Sequence, residues 1–184
     1  FNLYIRLLSL LFHFPFSSCS QKLRIFLALK GVEWESHLID LMGNENLQEF
    51  FLGINPRGLL PVVVHDGDVH IESNDILTYL EGIYPEPRLI PEGYENEVAE
   101  LLKHEDELHL DLRALSFRFV FNPPHAPKSE DDLKVYANTG SGTVNGQKDG
   151  RVDVEIDFWE NIAEHGITDE VAQAAAAKFR KVFG

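Results

Sequence analysis

Apolar positions arrive in bursts of changing period along this chain, and each burst predicts an element. Leu7 to Phe16 is almost continuously apolar, with residues 10–14 predicted as a buried first strand and residues 1–9 as its extension. Gln21 to Lys30 then takes helical spacing and stops at Gly31. Val32 to Leu41 is strand-like around Trp34, and Asn44 to Leu52 reads as a short helix closed by Gly53. Pro61 to His65 and Val69 to Ile71 flank Asp66-Gly67, which predicts a hairpin. Ser73 is the expected cap of a helix through Ile76, Leu77, Leu80 and Ile83 that Pro85 stops. The predicted order is βαβαββα, a compact α/β sandwich over residues 10–84.

Residues 85–94 are rich in proline and glycine and predict a linker. Beyond it the period is helical only, so residues 95–184 are expected to form an all-α second domain. Glu95 to Phe121 reads as one long helix, with Leu101, Leu102, Leu108, Leu112, Leu115 and Phe119 on its buried stripe and Pro123-Pro124 as its end. Lys128 to Gly150 is polar and glycine-rich, the composition of a loop or weakly ordered insertion. Val152 to His165 and Thr168 to Phe183 predict two more helices, the second capped by Thr168.

Composition narrows the function classes. With 44% hydrophobic and 25% charged residues, the 184-residue chain is an ordinary globular one. Its net charge of −14 argues against nucleic acid and against anionic membrane surfaces, which both need clustered Lys and Arg. One cysteine excludes an internal disulfide framework and a cysteine-rich zinc site, so no metal is expected. The apolar start is too short to span a bilayer and no small-residue cleavage pattern follows it. A cytoplasmic address is expected, and the start without methionine suggests a fragment.

Candidate chemistry gathers at Ser17-Ser18-Cys19-Ser20, between the first strand and the first helix. Backbone N–H groups converge at a helix start, which stabilises an anion, a thiolate included. On the residues alone, Ser18 or Ser20 as a plain N-cap with Cys19 as a buried small hydrophobe is the competing reading. His104 and His109 resemble a zinc-protease helix motif, but their spacing of five puts them on different faces. His13, His65 and His70 fall in or beside strands as ordinary hydrogen-bonded histidines.

Ser17-Ser18-Cys19-Ser20, with Leu23-Arg24-Ile25 and Leu27-Ala28-Leu29-Lys30-Gly31 behind it, resembles the signature of zeta-class glutathione transferases. Asn55-Pro56-Arg57-Gly58-Leu59-Leu60-Pro61, the Asp66-Gly67 turn and Glu72-Ser73-Asn74-Asp75-Ile76 are similar to the glutathione-binding core of the wider superfamily. Gln21-Lys22 and Glu72 depart from the zeta pattern, which usually has Trp-Arg and Gln there. The resemblance is close over residues 10–92, loose over 95–121 and poor beyond. It implies a thioredoxin-like N-terminal domain and an all-α C-terminal domain that is incomplete here.

The resemblance also implies roles. Ser17 or Ser18 would hydrogen-bond the thiolate of glutathione, with Cys19 beside it; position relative to Lys30 does not separate the two serines. Leu60, before a cis Pro61, would dock the cysteinyl part through its backbone. Ser73 would receive the γ-glutamyl carboxylate, Glu72 the α-amino group, and Asn46 would reach the glycyl end. Leu112, Leu115, Ser116 and Phe119 would line the pocket of a small hydrophobic electrophile. A glutathione transferase is the leading expectation. A maleylacetoacetate isomerase-like, ether-cleaving or dehalogenating relative and a non-catalytic glutathione-binding protein are the alternatives, and a homodimer is expected.

Overall fold

The computed structural model describes residues 9–121, 127–139, 143–144 and 146–184. The chain divides into two units, residues 1–90 with Asn138–Asp149, and Pro91–Ala137 with Gly150–Gly184.

In the first unit a four-stranded sheet has the order β2-β1-β3-β4: β1 is Ser9–His13, β2 Trp34–Leu38, β3 Val62–His65 and β4 Asp68–His70. β2 lies parallel to β1, whereas β3 and β4 run antiparallel to their neighbours. Strand alternation sorts the side chains. Leu11 and Val63 point to one face and pack with Leu23 and Leu27 of α1 (Ser18–Lys30) and Ile76 and Leu80 of α3 (Ser73–Ile83). Phe12 and Val62 point to the other, against Ile39 and Phe51 of α2 (Glu49–Ile54). All ten side chains are buried, each worth about 1.5–3 kcal/mol of apolar transfer. The strand expected over Val32 to Leu41 is confined to Trp34–Leu38, because the chain turns at 41–44 into a 3₁₀ turn, Glu45–Leu47, before α2.

Gly31, at φ 63°, ends α1, its N–H returning to Ala28 O at 3.1 Å and that of Val32 to Leu27 O at 3.0 Å. Lys30 is wholly buried. Its ammonium donates to Tyr84 O and Pro87 O, both at 2.7 Å, and lies 2.6 Å from Glu81 Oε2. Glu81 Oε1 accepts the N–H groups of Leu89 and Ile90. Burial works against its charge, but Lys30 and these N–H groups hold the Glu81 carboxyl below its usual range.

The second unit is helical: α4 (Glu95–Glu107), α5 (His109–Ser116), a wide turn over Phe117–Phe121, α6 (Glu130–Thr139, most of it in this unit), α7 (Arg151–His165) and α8 (Asp169–Phe183). The helix expected over Glu95 to Phe121 is therefore interrupted. At Leu108 the N–H splits between His104 O and Glu105 O, both at 3.2 Å, a local tightening that separates α4 from α5. None of α4 is buried, and Leu101 is 49% exposed, so the expected buried stripe begins only at Leu108. Residues 123 and 124, expected to end that helix, lie outside the described residues. Residues 128–150 are not a plain loop either: Ser129 starts α6 by accepting from the Asp132 N–H, and β5 (Thr143–Val144) pairs antiparallel with β6 (Gln147–Lys148). Ala172 and Ala175 are buried on α8, small enough to admit α5, where Ala114 is buried and Asp111 meets Lys178 at 2.8 Å. Thr168 caps α8, accepting from the Val171 N–H. No described helix is long and apolar enough to cross a membrane.

A charged network sits inside this unit. Glu155, 2% exposed, accepts from Arg113 Nη1 and from Arg151 Nε at 3.2 Å. The Arg113 guanidinium stacks over Phe158 and Trp159 and reaches His109 Nε2 at 3.3 Å. Arginine can only donate, so Nε2 is the acceptor and the proton of neutral His109 is on Nδ1. Burial first, then Arg113 and Arg151, push His109 down to about 4. A histidine whose pKa is lower folded than unfolded stabilises fully above the unfolded value, and that share is lost as pH falls toward the folded one. The urea midpoint followed by Trp159 fluorescence should therefore drop between pH 6.5 and about 4, and His109→Gln should flatten that slope.

Candidate functional site

Register decides which residues meet in the first unit. Phe12 faces Val62 and Val63 faces His70, so the exit of β1, the entry of β3 and the exit of β4 share one end of the sheet. The parallel β2 also exits there, and the Ile39 N–H bonds His13 O at 3.0 Å. That end collects residues 14–20, 39–47, 55–61 and 71–73, and with them Ser17, Ser18, Cys19, Asn46, Leu60, Pro61, Glu72 and Ser73.

Ser17 is the N-cap of α1. It is extended (φ −72°, ψ 120°), half-buried, and its Oγ accepts the Ser20 N–H at 3.2 Å. Accepting leaves its own proton available to donate. The cap expected at Ser18 or Ser20 is thus corrected to Ser17. Ser18 is the first helical residue and exposed, Cys19 is 8% exposed, and Ser20 is fully buried with Oγ toward the Phe14 N–H at 3.4 Å. No acidic residue falls in the first turn of α1, so its free N–H groups face no competing carboxylate of their own helix.

Several residues hold this loop that sequence reading missed. Gln21 Nε2 and Arg24 Nη2 both donate to Pro15 O, at 2.9 and 3.3 Å. Arg24 Nη1 donates to His13 Nδ1 at 3.2 Å, which leaves the His13 proton on Nε2 to donate to Ser36 Oγ at 2.8 Å. Burial, then Arg24, lowers the His13 pKa, so the ring stays neutral.

Asn55, 1% exposed, organises the second loop: its Nδ2 donates to Leu59 O at 2.8 Å and its Oδ1 accepts the Arg57 N–H at 3.0 Å. An asparagine ahead of a proline was the only sequence signal for it. The Leu60-Pro61 peptide is cis, as the resemblance implies, and Glu86-Pro87 is cis as well. Asn46 is buried with Nδ2 donating to Gly58 O at 2.7 Å, and its Oδ1 has no hydrogen-bond partner among the described residues. Gly58 has φ 61°, and a Cβ there would stand 3.2 Å from Asn46 O and from Leu47 Cδ2. Gly58→Ala should cost about 1–2 kcal/mol from the backbone alone, read as a lower urea midpoint.

At the third loop the expected cap is displaced by one residue. Glu72 holds the N-cap position of α3 at φ 65°, and Ser73 is the first helical residue. The cause is lateral: Glu72 Oε1 pairs with Arg57 Nη1 at 2.6 Å instead of turning back on its own helix. The other edge of Arg57 meets Asp149, with Nε to Oδ2 at 2.6 Å and Nη2 to Oδ1 at 3.2 Å. Nothing in the sequence pattern pointed to Asp149. Lys22 Nζ donates to Asn74 Oδ1 at 2.6 Å, tying α1 to the start of α3. The residues expected to line an electrophile pocket lie in the second unit, Leu112, Leu115 and Ser116 half-buried on α5 and Phe119, 67% exposed, in the turn after it.

With this geometry in view, comparison with known proteins is specific. Residues 11–88 match the family described as glutathione S-transferase, N-terminal domain. Glutathione S-transferase 1 of Dianthus caryophyllus is 43% identical over 82 residues, 45% of this chain and 37% of that protein. A maleylacetoacetate isomerase of Mus musculus is 41% identical over 78 residues, 41% of this chain and 36% of that protein. The chain thus spans little more than a third of the length of these relatives. Among solved structures, the beta-etherase LigF of Sphingobium sp. strain SYK-6 superposes with a TM-score of 0.68 at 24% identity, covering 92% of this chain and 68% of that one. That likeness shows the fold, a thioredoxin-like domain followed by helices.

Proposed function

We propose that this chain, whose residues 11–88 match the glutathione S-transferase N-terminal domain, is a member of that superfamily that binds glutathione at the loop end of its first sheet and activates the thiol for attack on a small hydrophobic electrophile. One observation carries the reading: the Ser17 hydroxyl caps α1 as an acceptor while keeping a proton to give, at a helix start without its own acidic residue. A thiol placed there loses its proton to water more readily, because the O–H of Ser17 and the helix N–H groups favour the thiolate. The thiolate sulfur bonds the electrophilic carbon and the leaving group departs with the electron pair.

The rest of the ligand follows the other loops. The backbone of Leu60 docks the cysteinyl part, Ser73 takes the γ-glutamyl carboxylate at the start of α3, and Glu72 takes the α-amino group. Asn46 is the weakest member, since its amide nitrogen already serves Gly58 O. The zeta-like Ser17-Ser18-Cys19-Ser20 signature favours a second reading, a glutathione-dependent isomerase using the same thiolate. A homodimer in the cytoplasm belongs to the proposal through family likeness alone.

The test is retention on immobilised glutathione together with conjugation of chlorodinitrobenzene. Retention with turnover is expected. Retention without turnover of that acceptor or of maleylacetoacetate points to a binding protein, and no retention sinks the reading.

A further inference from the structure

Ser17 can serve a thiol only if the turn that delivers it holds still. Its N–H closes a four-residue turn, Phe14 to Ser17, on Phe14 O at 3.2 Å. The peptide between Pro15 and Phe16 is the middle of that turn, and the common turn types differ by rotation of that peptide. Both residues are exposed, Phe16 at 66%, so burial does not fix its plane. Two side chains of α1 do, since Gln21 and Arg24 both donate to Pro15 O. Arg24 is held in its turn. Its Nη1 donates to His13 Nδ1, and the His13 ring is buried, edge-on to Trp34 with centroids 5.2 Å apart. Alternation puts His13 on the same face of β1 as Leu11, the face that α1 covers, and Ser36 of β2 shares that face because it pairs with Leu11. Ser36 accepts the Nε2 proton of His13, which leaves Nδ1 as the lone pair that Arg24 needs. The line of contacts runs Ser36, His13, Arg24, Pro15, and ends two residues before Ser17.

We infer that Ser36, His13 and Arg24 are positioning residues that aim the Ser17 hydroxyl at the thiol of glutathione by fixing the turn that leads into α1. The guanidinium suits the task because two of its nitrogens hold His13 and Pro15 at once, whereas the ammonium of lysine is a single point. A hydroxyl that drifts from its line donates a longer, bent bond, and such bonds weaken steeply. The thiol then ionises less readily although the ligand is still bound. The inference rests on the glutathione reading above and adds to it residues of both parallel strands and of the α1 flank, none of which that reading uses.

The experiment follows glutathione on the full chain across pH, reading the thiolate by its ultraviolet absorbance, and measures kcat and KM with chlorodinitrobenzene. Arg24→Lys should raise the pKa of bound glutathione by about half a unit to one unit and lower kcat at pH 7 about three- to tenfold, with KM for glutathione changed less than about twofold. Ser36→Ala should move the thiol pKa and kcat the same way by a smaller step, and Ser36→Thr, which keeps the hydroxyl, should restore both. In a Ser17→Ala background Arg24→Lys should add less than about twofold, because the donor it aims is gone. A full further loss in that background would make Arg24 a helix-packing residue independent of Ser17 and overturn the inference, as would an unmoved thiol pKa in Arg24→Lys or in Ser36→Ala. Should circular dichroism show Arg24→Lys to be misfolded, the Ser36 pair decides alone, and a shift that Ser36→Thr does not reverse overturns the inference. Wild-type protein that binds no glutathione removes the glutathione reading and this inference together; wild-type protein that lowers the thiol pKa while the variants do so equally removes only the inference.

Discussion

Ser17→Ala should lower kcat/KM for the proposed conjugation at pH 7 by about ten- to a hundredfold, the equivalent of the roughly 1.5–3 kcal/mol carried by a hydrogen bond to a charged group. The donor favours the ionised thiol, so without it the pKa of bound glutathione rises and the thiolate fraction at neutral pH falls. The ascending limb of the pH profile should accordingly move up by about one to two units, and alkaline pH should restore part of the rate. The same substitution removes the α1 cap, worth about 1 kcal/mol of stability. Ser17→Asp separates the two roles. Its carboxylate still accepts the Ser20 N–H and keeps the helix start, but it has no proton to donate and repels a thiolate, so stability should hold while the rate falls. Ser18→Ala and Cys19→Ala should keep most of the activity. A larger loss at Ser18 than at Ser17 would reassign the activating hydroxyl.

Glu155→Ala should destabilise the helical unit by about 3–5 kcal/mol, the cost of leaving buried cations without their counter-ion. Arg113 and Arg151 both converge on this carboxylate, and Lys128, 8% exposed with its amine 5.3 Å above the Trp159 ring, is pushed down to about 8 mainly by burial. A network that already disfavours one cation cannot absorb an unpaired arginine. Chemical denaturation followed by Trp159 emission should show the loss. Glu155→Gln should recover part of it, since an amide oxygen still accepts from one arginine. A change under about 1 kcal/mol for the alanine variant would mean that water or a side-chain shift relieves the arginines.

How much of this was legible in the sequence depends on whether a residue's role is local. The element order βαβαββα, the hairpin at Asp66-Gly67 and the start of α8 at Thr168 follow from short-range pattern, and the structure has them. The break at Leu108 was not legible, because His104 to Leu112 keeps helical periodicity through it and only the split of one N–H marks the interruption. The ordered helix over Glu130–Thr139 was hidden by polar composition; Leu133 and Tyr136 are its buried contacts, two residues in a window that otherwise reads as loop. Motif spacing grouped Ser17, Pro61 and Ser73, and the structure brings their loops to one end of the sheet, since each is fixed by the strand it follows or precedes. It named Asn55 and Arg24 without the contacts they make, did not point to Asp149, and put the α3 cap on Ser73. Asp149 depends on a partner distant in sequence, Arg57, and the α3 cap on a side chain choosing a lateral partner over its own helix, whereas the bonds of Asn55 are local and are fixed by the loop's conformation.

The buried ammonium of Lys30 bears on how this protein is taken apart. Two of its three acceptor partners, Tyr84 O and Pro87 O, and the Leu89 and Ile90 amides on Glu81 come from the segment after α3, which looks dispensable by composition. An expression boundary drawn at Ile83 would therefore amputate a cation's solvation shell rather than trim a tail. Fragment libraries, fusion junctions and protease-nicking experiments should keep residues 84–90 with α1 and α3, and a nick between Tyr84 and Ile90 should loosen α1 from its far end, away from Ser17.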